Sequence, residues 1–214
     1  MPIIAKVNKA APVSAGVHQA ICYSVVDCGT QPPFPGSKFA PSRKVVLTFE
    51  LPDETITLER DGKPTVLPRA ISATFGLSLG KKANLRRELE SWRGRNFTDE
   101  ELRGFDLKNI LGKNCQLNIV HENRNGETYA NIKNIMPLGK GMTVATEVNP
   151  QLYFSLDDFL AAAEKVWPSN MPEWLQGKIQ QSDEYLTIMQ REDQPAQPVG
   201  DAGEKEVKED DVPF

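Results

Sequence analysis

The segment NCQLNIVHENRNGETYANIKNIM, Asn114–Met136, holds an Asn125-Gly126 pair between two alternating stretches. That pair is a strong signal for a two-residue hairpin, because a type I′ turn needs positive φ at both central positions. Pairing outward from the turn sets Arg124 against Glu127, Glu122 against Tyr129, Val120 against Asn131, Ile119 against Ile132 and Asn118 against Lys133. In that register one face carries Cys115, Leu117, Ile119, Ala130 and Ile132, and the other carries Gln116, Asn118, Val120, Glu122, Tyr129, Asn131 and Lys133. The first face is core and the second is wet. A wet face with an aromatic ring and a lysine suits stacking on bases, although Tyr129 is equally well read as an ordinary sheet-surface residue.

Upstream, GVHQAICYSVVDCG (16–29) is rich in β-branched and aromatic residues and predicts a first strand. TQPPFPGSKFAPS (30–42), with four prolines and one glycine, must be a long loop. RKVVLTFEL (43–51) alternates, with Val45, Leu47, Phe49 and Leu51 on one side, so it predicts a half-buried second strand. TITLERDGKPTVL then centres a hairpin on Asp61-Gly62, an elaboration ahead of a third main strand, RAISATFGLSL (69–79). Pro64 makes the hairpin's return arm an edge or a short strand. Leu85, Leu89 and Trp92 next fall at i, i+4 and i+7, the stripe of an amphipathic helix that Gly94 is placed to end. Thr98 to Glu101 has the form of a capping box, so a short second helix follows before Gly104.

Strand, strand, strand, helix, strand, strand is the order of an OB-fold, a five-stranded Greek-key barrel within a mainly β, α+β chain. In such a barrel the first-to-second and fourth-to-fifth strand loops flank an oligonucleotide groove. Here those loops carry Phe34, Lys38 and Phe39, with Lys44 just beyond, and Arg124 beside Tyr129 and Lys133. The stretch Lys81–Arg95 adds six bases, Lys81, Lys82, Arg86, Arg87, Arg93 and Arg95, against two acids. Aromatic rings mixed with cations suit single-stranded nucleic acid, whose bases offer π-faces and whose phosphates need neutralising. The bland alternatives are a solvated helix face for the basic stretch and a loop pinned to the barrel by Phe34 and Phe39.

Residues 1–138 thus form the barrel domain, and 139–154 a connector. A helical extension over 155–190 follows, with one helix capped by Ser155 and another opening at Pro172, whose candidate contacts are Trp174, Ile179, Leu186 and Ile188. The extension packs either on the barrel or on a second copy, so a homo-oligomer stays open. Residues 191–214 form an acidic tail. It holds three bases and eight acids, a net charge of −5, which leaves 22 bases and 21 acids in residues 1–190 out of the chain's totals of 25 and 29. The overall charge of −4 is therefore a property of the tail, whose like charges, breakers and Pro213 predict disorder. No apolar run approaches the roughly 20 residues of a membrane span, which predicts a soluble, cytoplasmic protein without membrane partners. Three cysteines (Cys22, Cys28, Cys115) and two histidines (His18, His121) support neither a disulfide framework nor a metal site, and no cofactor is expected.

The final Glu209-Asp210-Asp211-Val212-Pro213-Phe214 closely resembles the C-terminal tip of bacterial single-stranded DNA-binding proteins, with Val212 in place of the usual isoleucine. Separately, SLGKKANLRRELESWRGRNFTDEELRGFDLKNILGKNCQLNIVHENRNGETYANIKNI resembles a phage- or prophage-encoded family of OB-fold replication and recombination proteins, over roughly residues 15–138. The first resemblance implies a docking peptide for replication, repair and recombination enzymes. Phe214 would fill an apolar pocket, its carboxylate would meet an arginine or lysine, and the acids would steer toward a basic rim. Together these imply sequence-tolerant single-stranded DNA binding in an infected or lysogenic bacterial cell. Two alternatives remain. One is an adaptor that recruits enzymes without binding DNA. The other is a metal-dependent nuclease built on Asp99, Glu100, Glu101 and Asp106, although acids at a helix start are favoured by the dipole anyway. The chain holds no GxSxG, HExxH or Walker A motif, so it is not expected to be an enzyme.

Overall fold

The computed structural model describes residues 11–33, 36–60 and 62–192. Five long strands form one antiparallel sheet in the order β3-β2-β1-β4-β5: β1 (Gly16–Gln31), β2 (Ser42–Arg60), β3 (Lys63–Gly76), β4 (Asn114–Arg124) and β5 (Glu127–Met136). The sheet curls into a half-barrel, and β3 approaches β5 across the seam. β1 makes the curl by serving both walls, pairing with β4 over Gly16–Ile21 and with β2 over Ile21–Gln31. The result is an OB-like fold, mainly β with helices, as the order of elements predicts.

The hairpin of β4 and β5 keeps the expected register from Arg124↔Glu127 to Ile119↔Ile132. Asn125 at φ 52 and Gly126 at φ 79 supply the left-handed pair that the turn requires. Beyond Ile119 the register shifts, so Asn118 faces Asn134 and Lys133 is the extra residue, not the partner of Asn118. The bulge has a packing cause. Ile132 and Ile135 are three apart, and only an inserted residue puts both on the core side, where Ile135 is fully buried opposite Leu117.

A second difference concerns β2 and β3. The strand expected to stop at Leu51 runs on to Arg60, so β2 and β3 form one long ribbon paired as far as Arg60↔Lys63 rather than a main strand with a separate hairpin elaboration. The ribbon stays continuous because Pro52, which lacks an N–H, falls in the register shift between Leu51 and Thr55. β3 is the outer strand of this wall.

α1 (Asn84–Arg93) closes the barrel with the expected stripe of Leu85, Leu89 and Trp92 and ends at Gly94, φ 65. The Trp92 ring lies 5.7 Å from that of Phe49, and its indole N–H donates to the Asn114 carbonyl at 3.0 Å. α2 (Asp99–Arg103) opens on the reciprocal Thr98–Glu101 capping box, and a 3₁₀ turn over Leu107–Ile110 leads into β4.

The C-terminal extension packs on the outside of the barrel, so of the two arrangements left open the chain makes the first. Val26, Cys28 and Val46 are covered by Leu152, Phe154, Leu156, Phe159, Leu175 and Ile179. The stretch expected as pure connector ends in a strand, β6 (Leu152–Phe154), parallel to β1 at Ser24–Val26, past the point where β4 leaves β1. Glu50, fully buried on β2, fixes the connector by accepting from the backbone N–H groups of Val148 (2.7 Å) and Asn149 (2.9 Å). α3 (Leu156–Ala161) begins at the Ser155 cap. The helix expected from Pro172 onward is two helices, α4 (Glu173–Ile179) and α5 (Asp183–Glu192), separated at Ser182, which is buried and whose hydroxyl accepts from the Tyr185 N–H. Trp174 and Leu186 therefore face outward, and Leu175 takes the core place beside Ile179. At the contact with β1, a Cβ on Gly29 (φ 67) would come within 2.6 Å of Leu156 and Ser182 atoms, so glycine is required there.

Candidate nucleic-acid interface

The loop between β1 and β2 re-enters the sheet beside the segment joining β3 to α1. Phe39, Ser42, Gly76, Ser78, Lys81 and Lys82 line one concavity at that corner. The Phe39 ring is 84% exposed, so it does not pin the loop to the barrel. Lys44 sits opposite Gly76 in the β2–β3 register, at the edge of the same concavity, and Lys38 is exposed one residue before Phe39. Lys38, Lys44, Lys81, Lys82 and Lys133 form no ion pair with another described residue.

β3 connects this corner to a second one. Gly76 lines the first concavity, Thr74 and Ser72 are exposed along the strand, and Ser72 and Ala70 line a groove at the β3–β5 seam together with Arg69, Thr128 and Tyr129. The two corners are thus about four strand residues apart, roughly 13 Å at 3.3 Å per residue. The intervening side chains are small, which leaves room for a backbone to lie along the strand. At the second corner Tyr129 is exposed and its hydroxyl donates to Glu127 at 2.6 Å, while Arg124 pairs with Glu122. Arg69, which sequence reasoning passed over, bridges β3 to the Pro12 carbonyl at 3.2 Å. Its only sequence signal was a base at the head of an alternating strand.

The arginines of α1 are used differently. Arg86 donates to Glu90 at 2.9 Å and Arg87 to Glu88 at 3.2 Å. Arg93 pairs with Glu101 and lies over two rings, 4.4 Å from the Phe97 centroid and 5.0 Å from that of Phe105. Arg95 also binds Glu101, at 2.8 and 3.0 Å. The Arg95 hydrogen bonds, then the Thr98 N–H, hold the Glu101 carboxyl down at about 2. Glu101 is thereby the hub that ties α2 to the end of α1. Of the acids weighed as metal ligands, Asp106 accepts from the Lys108 N–H at 2.8 Å. Among the described residues no group of three or more His, Cys, Asp or Glu is placed to hold a metal.

The remaining chemistry-bearing residues have structural surroundings. His18 and His121 each reach a backbone carbonyl of the strap before β1, those of Ser14 at 2.9 Å and Val13 at 2.8 Å. All three cysteines are free and buried, and burial pushes the Cys22 and Cys28 thiols up to about 12, far from a reactive thiolate. Among the described residues no helix is long and apolar enough to cross a membrane. Phe34 and the tip Glu209-Asp210-Asp211-Val212-Pro213-Phe214 lie outside the described residues.

Fold and surface together define an OB-like barrel protein in which an exposed strip of small residues along β3 runs between a corner with Phe39, Lys81 and Lys82 and a corner with Tyr129. The chain matches no known protein family and no curated protein.

Proposed function

We propose that this protein is a non-catalytic, sequence-tolerant binder of single-stranded DNA, acting in phage or prophage replication and recombination in the bacterial cytoplasm, and that its acidic tip recruits partner enzymes. The observation that carries the reading is the corner where an exposed Phe39 shares one concavity with Lys81 and Lys82, neither of which forms an ion pair with another described residue. An aromatic face beside free cations is what an unpaired base and its phosphate need. The strand then follows the small residues of β3 toward the exposed Tyr129. A duplex offers no free π-face to Phe39 or Tyr129 and binds less well. Recruitment rests on the resemblance of Glu209–Phe214 to the bacterial tip, with Phe214 as the apolar anchor and the acids as steering charge.

The test is a fluorescence-anisotropy titration of labelled oligo-dT and of a matched duplex, at two salt concentrations, with the full chain and with a chain stopped after Gly200. The expected result is tighter binding of the single strand, weakening with salt, and no loss without the tail. Absence of binding by both chains would overturn the DNA-binding reading in favour of an adaptor that recruits without DNA. Metal-dependent cleavage of the oligonucleotide would point to the nuclease.

A further inference from the structure

Next to the β3 strip, on the other side of the same backbone, lies a pocket of about 300 Å³ where the barrel, the segment after α2 and β6 meet. That is the lower end of the range for small-ligand sites. Leu77 lines it, while its neighbours Gly76 and Ser78 line the Phe39 concavity, so a strand leaving that corner reaches the pocket within one residue's turn of β3. Its other apolar walls include Phe105 and Tyr153, and its polar groups are Asp27, Arg43, Asp106, Ser155 and Asp157. Tyr153, between the buried Leu152 and Phe154, points to the opposite face of β6, the face of its register partner Val25, and is 42% exposed.

The charges select the ligand. Arg43 binds Asp27 and, at 2.8 Å, Oδ1 of Asp157, so the one guanidinium is shared by two carboxylates. Asp106 adds a third carboxylate to the wall. A net-negative interior repels phosphate and favours a group that donates hydrogen bonds. The second oxygen of Asp157 accepts no hydrogen bond from a described residue, and this side chain is 67% exposed. At the Tyr153 face, Lys108 Nζ lies 5.7 Å from the ring centroid, the one cation placed beside the aromatic ring among the described residues. We infer that this pocket takes one amino-bearing nucleobase of the bound single strand. The base stacks on Tyr153, its exocyclic amino group donates to Asp157, and its phosphate stays outside at Lys108. The inference rests on the single-stranded DNA reading and adds to it a base preference at one position. Thymine, which has no exocyclic amine, is the disfavoured base.

The experiment compares oligo-dC and oligo-dT of equal length by anisotropy, using the full chain and its Tyr153→Ala, Tyr153→Phe and Asp157→Ala variants, with thermal melts to verify folding. The full chain should favour oligo-dC by about fivefold, the scale of one net hydrogen bond. Tyr153→Ala should weaken oligo-dC about tenfold, as loss of one stack does, and Tyr153→Phe should bind like the unmodified chain. Asp157→Ala should erase the preference and leave oligo-dT unchanged. Equal affinity of the unmodified chain for both oligonucleotides, with Tyr153→Ala binding as well as it does, would overturn the pocket and leave single-strand binding intact. Failure of the unmodified chain to bind either oligonucleotide would overturn single-strand binding and the pocket with it.

Discussion

Lys81 and Lys82 stand within a few residues of Arg86, Arg87, Arg93 and Arg95, in a stretch that reads as one basic block, and the fold divides that block in two. The lysines precede α1 and open onto the Phe39 concavity without an ion-pair partner among the described residues. The arginines each meet a glutamate, and Arg93 is sandwiched against two rings as well. The chemistry of the two side chains fits this division. A guanidinium is planar, makes several directed hydrogen bonds and stacks on aromatics, whereas an ammonium on a long stem is a mobile point charge. A local run of positive charge therefore says little about a binding surface until the acids that share its space are counted.

Single substitutions should separate the two groups. The largest effect should come from Arg93→Ala, which removes an ion pair and two ring contacts from a side chain only 15% exposed. Urea unfolding should show a loss of about 2 kcal/mol, with oligo-dT affinity of the folded protein unchanged. A DNA defect without a stability defect would put Arg93 on the wrong side of the division. Phe39→Ala should do the reverse, costing about tenfold in oligo-dT affinity while unfolding like the unmodified chain within about 0.5 kcal/mol. Joint substitution of Lys81 and Lys82 by alanine should weaken oligo-dT about fivefold at low salt, again at constant stability.

The smallest and most specific effect is the pH dependence of Glu101. Its folded carboxyl is held at about 2, below its unfolded value near 4.3, so its contribution is fully present above the unfolded value and is lost as pH falls through the folded one. The stability gap between the unmodified chain and Glu101→Gln should be constant above about pH 5 and close progressively between about pH 4 and 2. A gap that persisted at pH 2 would mean that the carboxylate's charge is not what joins α1 to α2.

Local chemistry was legible in the sequence wherever one residue pair decides a conformation. Asn125-Gly126 set the hairpin and its first pairs, Thr98 and Glu101 set a cap, and Leu85, Leu89 and Trp92 set the buried stripe of α1. What was not legible depends on packing between distant segments. The Lys133 bulge exists because Ile135 must reach the core opposite Leu117, and no turn signal announces it. β6 forms because β1 has a stretch that β4 leaves unpaired, and three residues, Leu152–Phe154, carry too little pattern to be seen alone. The break at Ser182 was hidden because the apolar positions on either side of it continue a plausible helical stripe. At the surface, Phe39, Lys81 and Lys82 were named from composition, but their meeting at one corner, and the absence of Arg86 and Arg93 from it, follow from the path of the chain.

The most direct test of the division is the salt dependence of oligo-dT binding for three proteins: the full chain, the double variant Lys81→Ala with Lys82→Ala, and Arg95→Ala. Arg95 is the fair control because its side chain is 56% exposed yet paired with Glu101. Removing a cation that neutralises one phosphate should flatten the slope of log affinity against log salt by about 0.7 for a single strand. The double lysine variant is predicted to lose about 1.4 of slope and Arg95→Ala none. A flatter slope for Arg95→Ala, with an unchanged slope for the double lysine variant, would contradict the account.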